Sequence, residues 1–325
     1  MAKARCQGRG GEAGGGEGRA GEGSGRDCAS LYQEVTDRII AELEAGCVPW
    51  VKPWSSASAG LGLPRNAATA RQYSGVNILI LWAAVIEKGY AAQNWLTFRQ
   101  ALRLGGVVRK GERGTTVVFA DKFIPQDERE RARRDGDDPH GVPFLKRFTV
   151  FNVAQCEGLP DSVFAKPAPV PEHERLPQAE TLVDASRAII VTQGDRAFFS
   201  PSGNYIQMPP LRAFASAGDY YATALHELAH WTGHPLRLDR DQSGRFGSHP
   251  YAREELVAEM ASAFTCASLG IVPTVRHADY LGSWLDVLRE DNRAIFRAAS
   301  QASKASDFLL AFHGAATADA ASAAA

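Results

Sequence analysis

The 325-residue chain reads as an α+β protein of two domains, on three observations. Its formal charge of −1 conceals a split: residues 45–122 carry ten Lys or Arg against three acids, a net of +7, whereas residues 161–325 carry 14 basic against 19 acidic residues, a net of −5. Segments of helical period alternate with short β-branched and aromatic runs. A Pro-rich stretch at 160–177, with Pro167, Pro169 and Pro171 inside it, separates the halves and reads as an extended linker. With 45% hydrophobic residues the chain can bury two ordinary cores, and no membrane span is expected. A basic front joined to an acidic rear suggests that only the front meets a polyanion. The five cysteines (Cys6, Cys28, Cys47, Cys156 and Cys266) are far apart and odd in number. They propose neither a C-x-x-C zinc site nor a disulfide framework, which fits a reducing cytoplasm.

Residues 1–28 are rich in Gly, Arg and Glu and lack the apolar core of a secretion signal, so they are expected to be a disordered tail. Order should begin at Ser30, where Ser30-Leu31-Tyr32-Gln33 reads as a capping box opening a helix with the buried stripe Leu31, Val35, Ile39 and Leu43. A helix near 77–88 and another at 95–104, ended by Gly105-Gly106, precede the basic turn Arg109-Lys110-Gly111-Glu112-Arg113-Gly114. Runs 115–120 and 148–153 read as paired strands, with the charged run 127–138 as a solvated hairpin insertion. The small basic domain is thus expected over 29–159. The second domain, 178–313, should set strands 188–191 and 205–208 before a series of helices, including apolar spacings at 280–288 and 295–299. The Ala-rich end, 314–325, is expected to be a second disordered tail.

Chemistry concentrates in Thr223-Ala224-Leu225-His226-Glu227-Leu228-Ala229-His230. On a helix, imidazoles four positions apart share one face and can grip one divalent ion, the H-E-x-x-H arrangement. Zinc with an open position acidifies water, and Glu227 is placed to take the proton. Asp219 reads as N-cap of a helix over 220–231, with Gly233 and Pro235 as the stop. A second helix over 251–269, between Pro250 and Gly270, offers Glu255 and Glu259 one turn apart. Glu255 is assigned as third ligand and Glu259 as the acceptor of a ring N–H from a ligand histidine. Two alternatives stay open: Glu254 as the ligand, or Arg253, Glu254 and Glu255 as a solvated face. His234 would extend the motif but follows Gly233, which points to a loop or supporting role. Tyr220, Tyr221 and His249 are the candidate oxyanion donors. Imidazole and carboxylate ligands also accept manganese, cobalt or nickel, so zinc is an expectation from ligand type.

In the basic half, cations interleaved with aromatics suit single strands, because Lys and Arg neutralise phosphates while rings stack on unpaired bases. The candidates are Lys52, Trp54, Arg65, Arg71, Tyr73, Arg109, Lys110 and Arg113. Trp50, Trp82 and Trp95 are assigned to the core. No helix-turn-helix or zinc-finger pattern offers base readout.

From Asn204-Tyr205-Ile206-Gln207-Met208-Pro209 through the H-E-x-x-H motif to Arg253-Glu254-Glu255-Leu256-Val257-Ala258-Glu259, the chain resembles the zincin-like metallopeptidase domain of ArdC-type antirestriction proteins. Upstream, Pro49-Trp50, Pro53-Trp54, the run from Asn66 to Asn77, Trp95-Leu96-Thr97-Phe98 with Gln100, and Lys110-Gly111-Glu112 resemble the single-stranded-DNA-binding domain of the same family. The resemblance covers about residues 29 to 312. It implies a plasmid- or phage-borne protein acting in the bacterial cytoplasm, a small basic α+β DNA-binding domain followed by a zincin-like metallopeptidase domain. Its partners would be single-stranded DNA and a host restriction or other defence protein. By analogy with zincins, 206–208 would be the edge strand that aligns an extended peptide. The alternative is a non-catalytic protein that coats single-stranded DNA or docks on the restriction enzyme, its metal structural.

Overall fold

The computed structural model describes residues 22–50, 62–136, 138, 142–164, 172–245, 247–272 and 280–323. The first helix, α1 (Glu22–Glu44), buries the expected stripe of Leu31, Val35, Ile39 and Leu43. It starts upstream of Ser30, which corrects both the capping box there and the disordered tail over 22–28. Once the buried stripe supplies a nucleus, each residue added to the helix end costs little. Residues 1–21 lie outside the described residues.

The N-terminal half continues with β1 (Arg65–Asn66), α2 (Val76–Lys88), β2 (Asn94–Thr97), α3 (Phe98–Arg103), β3 (Val107–Val108), β4 (Thr115–Phe123), α4 (Gln126–Asp135), β5 (Val142–Asn152) and β6 (Cys156–Glu157). Four strands form a mixed sheet in the order β1-β2-β5-β4, with β1 and β2 parallel, and β3 pairs with β6. One reading is corrected here. Trp95 and Leu96 are strand residues that pair with Asn152 and Phe151, so the helix expected over 95–104 shrinks to α3, capped by Thr97 and Gln100 in a capping box. Pairing with β5 buries Trp95 completely, which outweighs the weak local preference of so short a run. The charged run is an insertion in the β4–β5 hairpin, as expected, and most of it is the helix α4, with acids in its first turn and arginines in its last, the polarity that favours a helix dipole.

The C-terminal half comprises α5 (Glu172–Ser186), β7 (Ile189–Thr192), β8 (Phe198–Ser200), β9 (Tyr205–Met208), α6 (Ala217–Thr232), α7 (His249–Leu269), α8 (Leu281–Glu290) and α9 (Ala294–Ala323). Three expectations change. Residues 161–164 form a 3-10 turn, and α5 runs through the end of the stretch expected as an extended linker; Ala179 and Leu182 are buried and hold the helix on the core despite Pro177 within it. Residues 165–171 lie outside the described residues. The Ala-rich end continues α9 as far as Ala323, in keeping with alanine's helix propensity. Strand β9 is central in the order β7-β9-β8, so 206–208 is no edge; β8 covers it. No helix among the described residues is long and apolar enough to cross a membrane.

One apolar core unites the halves. It joins the stripe of α1 and residues of α2 to Leu256 and Phe264 of α7, Trp284 of α8 and Ile295 of α9. Trp50 meets Trp284 edge-on at 5.5 Å, and Trp82 meets Phe264 at 5.6 Å. Trp50, Trp82 and Trp95 are all fully buried, as assigned. Hydrogen bonds cross as well: Thr36 Oγ1 donates to the Asn292 carbonyl and Gly75 N–H to Ser303 Oγ, each at 2.8 Å. Trp284→Ala should therefore lower stability by about 3–5 kcal/mol. Denaturation followed by tryptophan fluorescence and by far-UV circular dichroism should show one coincident transition; two separable transitions would mean that the halves fold independently.

Candidate metal centre

Helix α6 carries both histidines. Its N-cap is Ser216, whose Oγ accepts from Asp219 N–H, so Asp219 lies inside the first turn and not at the cap. Its carboxylate there suits the positive end of the helix dipole. Gly233 ends the helix with an ordinary right-handed φ of −75°. A Cβ at this position would come within 2.6 Å of Gln242 Nε2 and 2.8 Å of Arg240 Nη2, so glycine serves close approach here, not a left-handed turn. Helix α7 is capped by Ser248, with Pro250 in its first turn and Gly270 at φ 70° closing it.

Packing of α6 on α7 brings His226, His230 and Glu255 together with one donor atom from each inside 4.8 Å. Both Nε2 atoms face Glu255, from His226 at 3.6 Å and from His230 at 3.4 Å. Each Nδ1 faces another acid: Glu259 lies 3.8 Å from His226 and Glu254 lies 3.2 Å from His230. Glu255 therefore occupies the position between the rings, and Glu254 sits behind His230. All three acids of α7 are buried, and the solvated-face alternative is excluded.

Arg240, from the loop after α6, holds Glu254 with two bonds, Nη2 to Oε1 at 2.6 Å and Nε to Oε2 at 3.0 Å, and also donates to Thr232 Oγ1 and the Ala229 carbonyl. Gln242 Nε2 donates to the His230 carbonyl at 2.7 Å and to Glu254 at 3.1 Å. Sequence reasoning missed both residues, since a polar loop gives no local sign of which face it turns inward.

Burial opposes charge on both imidazoles, yet the carboxylates prevail: Glu255 and Glu259 raise the pKa of His226, and Glu255 and Glu254 raise that of His230 well above its ordinary value. In return, and against its own burial, Glu255 is held far below the usual carboxylate range. Glu255 Oε2 is buried without a hydrogen-bond partner. Four buried carboxylates (Glu227, Glu254, Glu255 and Glu259) gather about the two histidines, and one guanidinium, that of Arg240, meets one of them, Glu254; a dication would offset this accumulation of acids. The donor set, the orphaned oxygen and the charge balance all fit a divalent ion.

A cavity of about 480 Å³ opens beside these residues. Glu227 lines it, and its carboxylate makes no hydrogen bond or ion pair with another described residue. Phe198 and Phe199 of β8, with Arg196 just ahead of them, form one wall; Tyr251 and Tyr280, whose hydroxyls lie 3.2 Å apart, form part of another. Burial and the Tyr280 contact push the Tyr251 hydroxyl pKa up, so it stays a donor. None of the oxyanion candidates from sequence reaches the cavity. Tyr220 and Tyr221 pack against each other and the core beside β9, and His249 pairs with Glu290 at 2.9 Å. Tyr251 was legible in principle, four positions before Glu255 on one helix face. His234 stays in the loop, accepting from Leu236 N–H.

Of the nucleic-acid candidates, Lys52 and Trp54 lie outside the described residues. Arg71, Lys110, Arg113 and Arg109 are exposed, with Arg109 tied to Glu112 at 2.8 Å, and Arg65 is half-buried. Tyr73 packs on the small core of Leu81, Trp95 and Val150, which limits it as a stacking platform.

Two family models match this architecture: the N-terminal domain of anti-restriction factor ArdC over residues 29–151, and a zincin-like metallopeptidase over residues 177–301. By fold and site the chain is thus a two-domain protein of the zincin-like class with an ArdC-type front. The antirestriction ArdC protein of plasmid R388 is similar over most of the chain. Its metal-free crystal structure is 41% identical with a TM-score of 0.73, and its Mn(II)-bound structure 42% identical with a TM-score of 0.72; each match covers 87% of this chain and 98% of that one. An uncharacterized protein y4eC of Sinorhizobium fredii is 43% identical over 86% of this chain and 91% of its own length. The DNA primase TraC of Escherichia coli is 42% identical over 87% of this chain, which spans only 27% of TraC. The chain belongs to the ArdC antirestriction family.

Arg240→Ala strands a buried carboxylate beside His230. It should lower stability by about 3–5 kcal/mol and weaken Zn(II) or Mn(II) binding about 10–100-fold. Denaturant titration and chelator competition check this; an unchanged metal affinity would show that Glu254 lends the histidine no support.

Proposed function

We propose that the protein shields incoming DNA from restriction by joining single-strand binding to a metal-dependent peptidase centre, with zinc the expected ion and manganese an acceptable one. The observation that carries the reading is the convergence of His226, His230 and Glu255 beside a cavity into which Glu227 brings an unpaired carboxylate. In this reading the three residues hold the ion, while Glu259 and Glu254 orient the rings from behind. When bound, the ion supplies Lewis acidity to the scissile carbonyl and to the attacking water. Glu227 takes the proton of that water and delivers it to the leaving amine. Tyr251, in place of Tyr220, Tyr221 and His249, donates to the developing oxyanion. The edge of β8 aligns an extended peptide by backbone pairing, the role expected of 206–208. The substrate would be a restriction enzyme or another defence protein of the host, and the basic front half would hold single-stranded DNA.

A second reading keeps the ion as a brace, with protection arising from DNA coating or docking. One observation favours it: α6 and α7 carry the ligands inside the packed core, so an ion there stiffens the fold whether or not chemistry follows. A protection assay separates the two. Glu227→Gln should bind metal as the wild type does, cleave no peptide and fail to protect, and His226→Ala should lose metal and protection together. Full protection by Glu227→Gln would leave only the brace.

A further inference from the structure

We infer that single-stranded DNA binds across the outer surface of α3 and the turn locked to it, with Phe98 as the stacking ring and Arg99 and Arg103 as phosphate contacts. The inference rests on the single-strand reading proposed above and locates it on residues that the sequence pattern did not single out.

Helix α3 turns unusual chemistry to water. Phe98 is 48% exposed and Leu102 51%, four positions apart, and Arg99 and Arg103 repeat at the same interval beside them. Both arginines are exposed, and neither has an ion pair or side-chain hydrogen bond among the described residues. Elsewhere in this half Arg109 pairs with Glu112, Arg131 with Glu128 and Arg147 with Glu34, and the other arginines of α4 (Arg129, Arg133 and Arg134) share their helix with Asp127, Glu128 and Glu130, whereas α3 carries no acid. Positive charge with no acid on the same helix therefore gathers at α3, beside the turn where Arg65 and Arg71 also lack an ion pair among the described residues. Phe151 meets Phe98 edge-on at 6.4 Å, which steadies the ring while leaving half of it open.

The surface is also rigid. Asn66 Nδ2 donates to Gln100 Oε1 at 3.0 Å and Gln100 Nε2 returns a bond to Asn66 Oδ1 at 3.3 Å. Asn66 Oδ1 accepts from the backbone of Ala68 and Thr69 as well, and Gln100 Oε1 from Thr97. This reciprocal pair fixes the turn after β1 to the first turn of α3, so the cations and the ring meet a ligand already in place.

A polyanion with unpaired bases satisfies both parts of the surface, since phosphates neutralise the arginines and a base covers the ring. A protein partner would have to desolvate two guanidinium groups beside the apolar residues, which is unfavourable without matching acids. The rival aromatic pair, Phe119 and Phe148 on β4 and β5, is 51% and 45% exposed with rings 6.2 Å apart, but Lys146, which stands opposite Phe119, is already engaged, and Arg147, on the other face of β5, is tied to Glu34.

Fluorescence anisotropy of the full chain with a labelled oligo(dT) 30-mer, at several salt concentrations, tests the assignment. Phe98→Ala should weaken binding about tenfold with the salt slope unchanged. Arg99→Ala with Arg103→Ala should reduce the slope of log K against log salt by about 1.4, about 0.7 for each charge. Phe119→Ala with Phe148→Ala should stay within about twofold of wild type. All are surface positions, and a thermal melt checks folding. Wild-type binding that survives the α3 changes overturns this location alone, as does loss confined to the Phe119/Phe148 variant. A changed oligomeric state in the α3 variants would mark a protein interface and overturn it too. Absence of wild-type binding overturns the single-strand reading with it.

Discussion

Two imidazoles on one helix facing one carboxylate on the next are the constraint around which this structure is arranged. Placing His226 and His230 against Glu255 requires α6 and α7 to pack in one register, and a shift of a single residue along either helix would rotate the donors about 100° out of line. Burying that many acids carries a further demand. Arg240 and Gln242 meet it from the loop after α6, and they can reach inward only because Gly233 leaves room for them. The two histidines, the buried acids, the glycine and the polar loop thus form one electrostatic unit whose donors suit a divalent ion.

The packing of the two halves extends this dependence to the whole chain. The ligand-bearing α7 shares its apolar core with α1 and α2, and indole rings from both halves interlock at that junction. Displacement of α1 or α2 would therefore strain the helix that carries Glu255. This is a physical route by which events at the basic front could reach the metal centre, and it explains how a modestly sized front domain gains stability that its own smaller core could not supply. Within TraC, the matched region forms roughly a quarter of a much longer protein.

Comparison of expectation with outcome separates what is local from what is not. The H-E-x-x-H helix, its acidic partner helix, the glycine at position 270 and the stripe of α1 were legible because each is a repeat of one period within a single element. The misreadings that bear on the site mostly concern relations between elements. Trp95 looked helical until its pairing with β5 was known, 206–208 looked like an edge until β8 was found beside it, and Tyr220 and Tyr221 looked close to the ion because they are close in sequence. Asp219 lost the cap to Ser216, three residues earlier, a difference settled by which side chain could reach a free amide.

By itself, the sequence determined the chemistry: which donors lie one turn apart, which acids could join them, and that positive charge belongs to the front. Only the tertiary structure decided the assignments among equivalents. Glu255 rather than Glu254 stands between the rings, Tyr251 rather than Tyr220 or Tyr221 lines the cavity, and β8 rather than β9 lies at an edge of its sheet. The reason is that helical and strand periods fix directions within an element to a fraction of a turn, whereas the face that meets a partner depends on packing against residues far away along the chain.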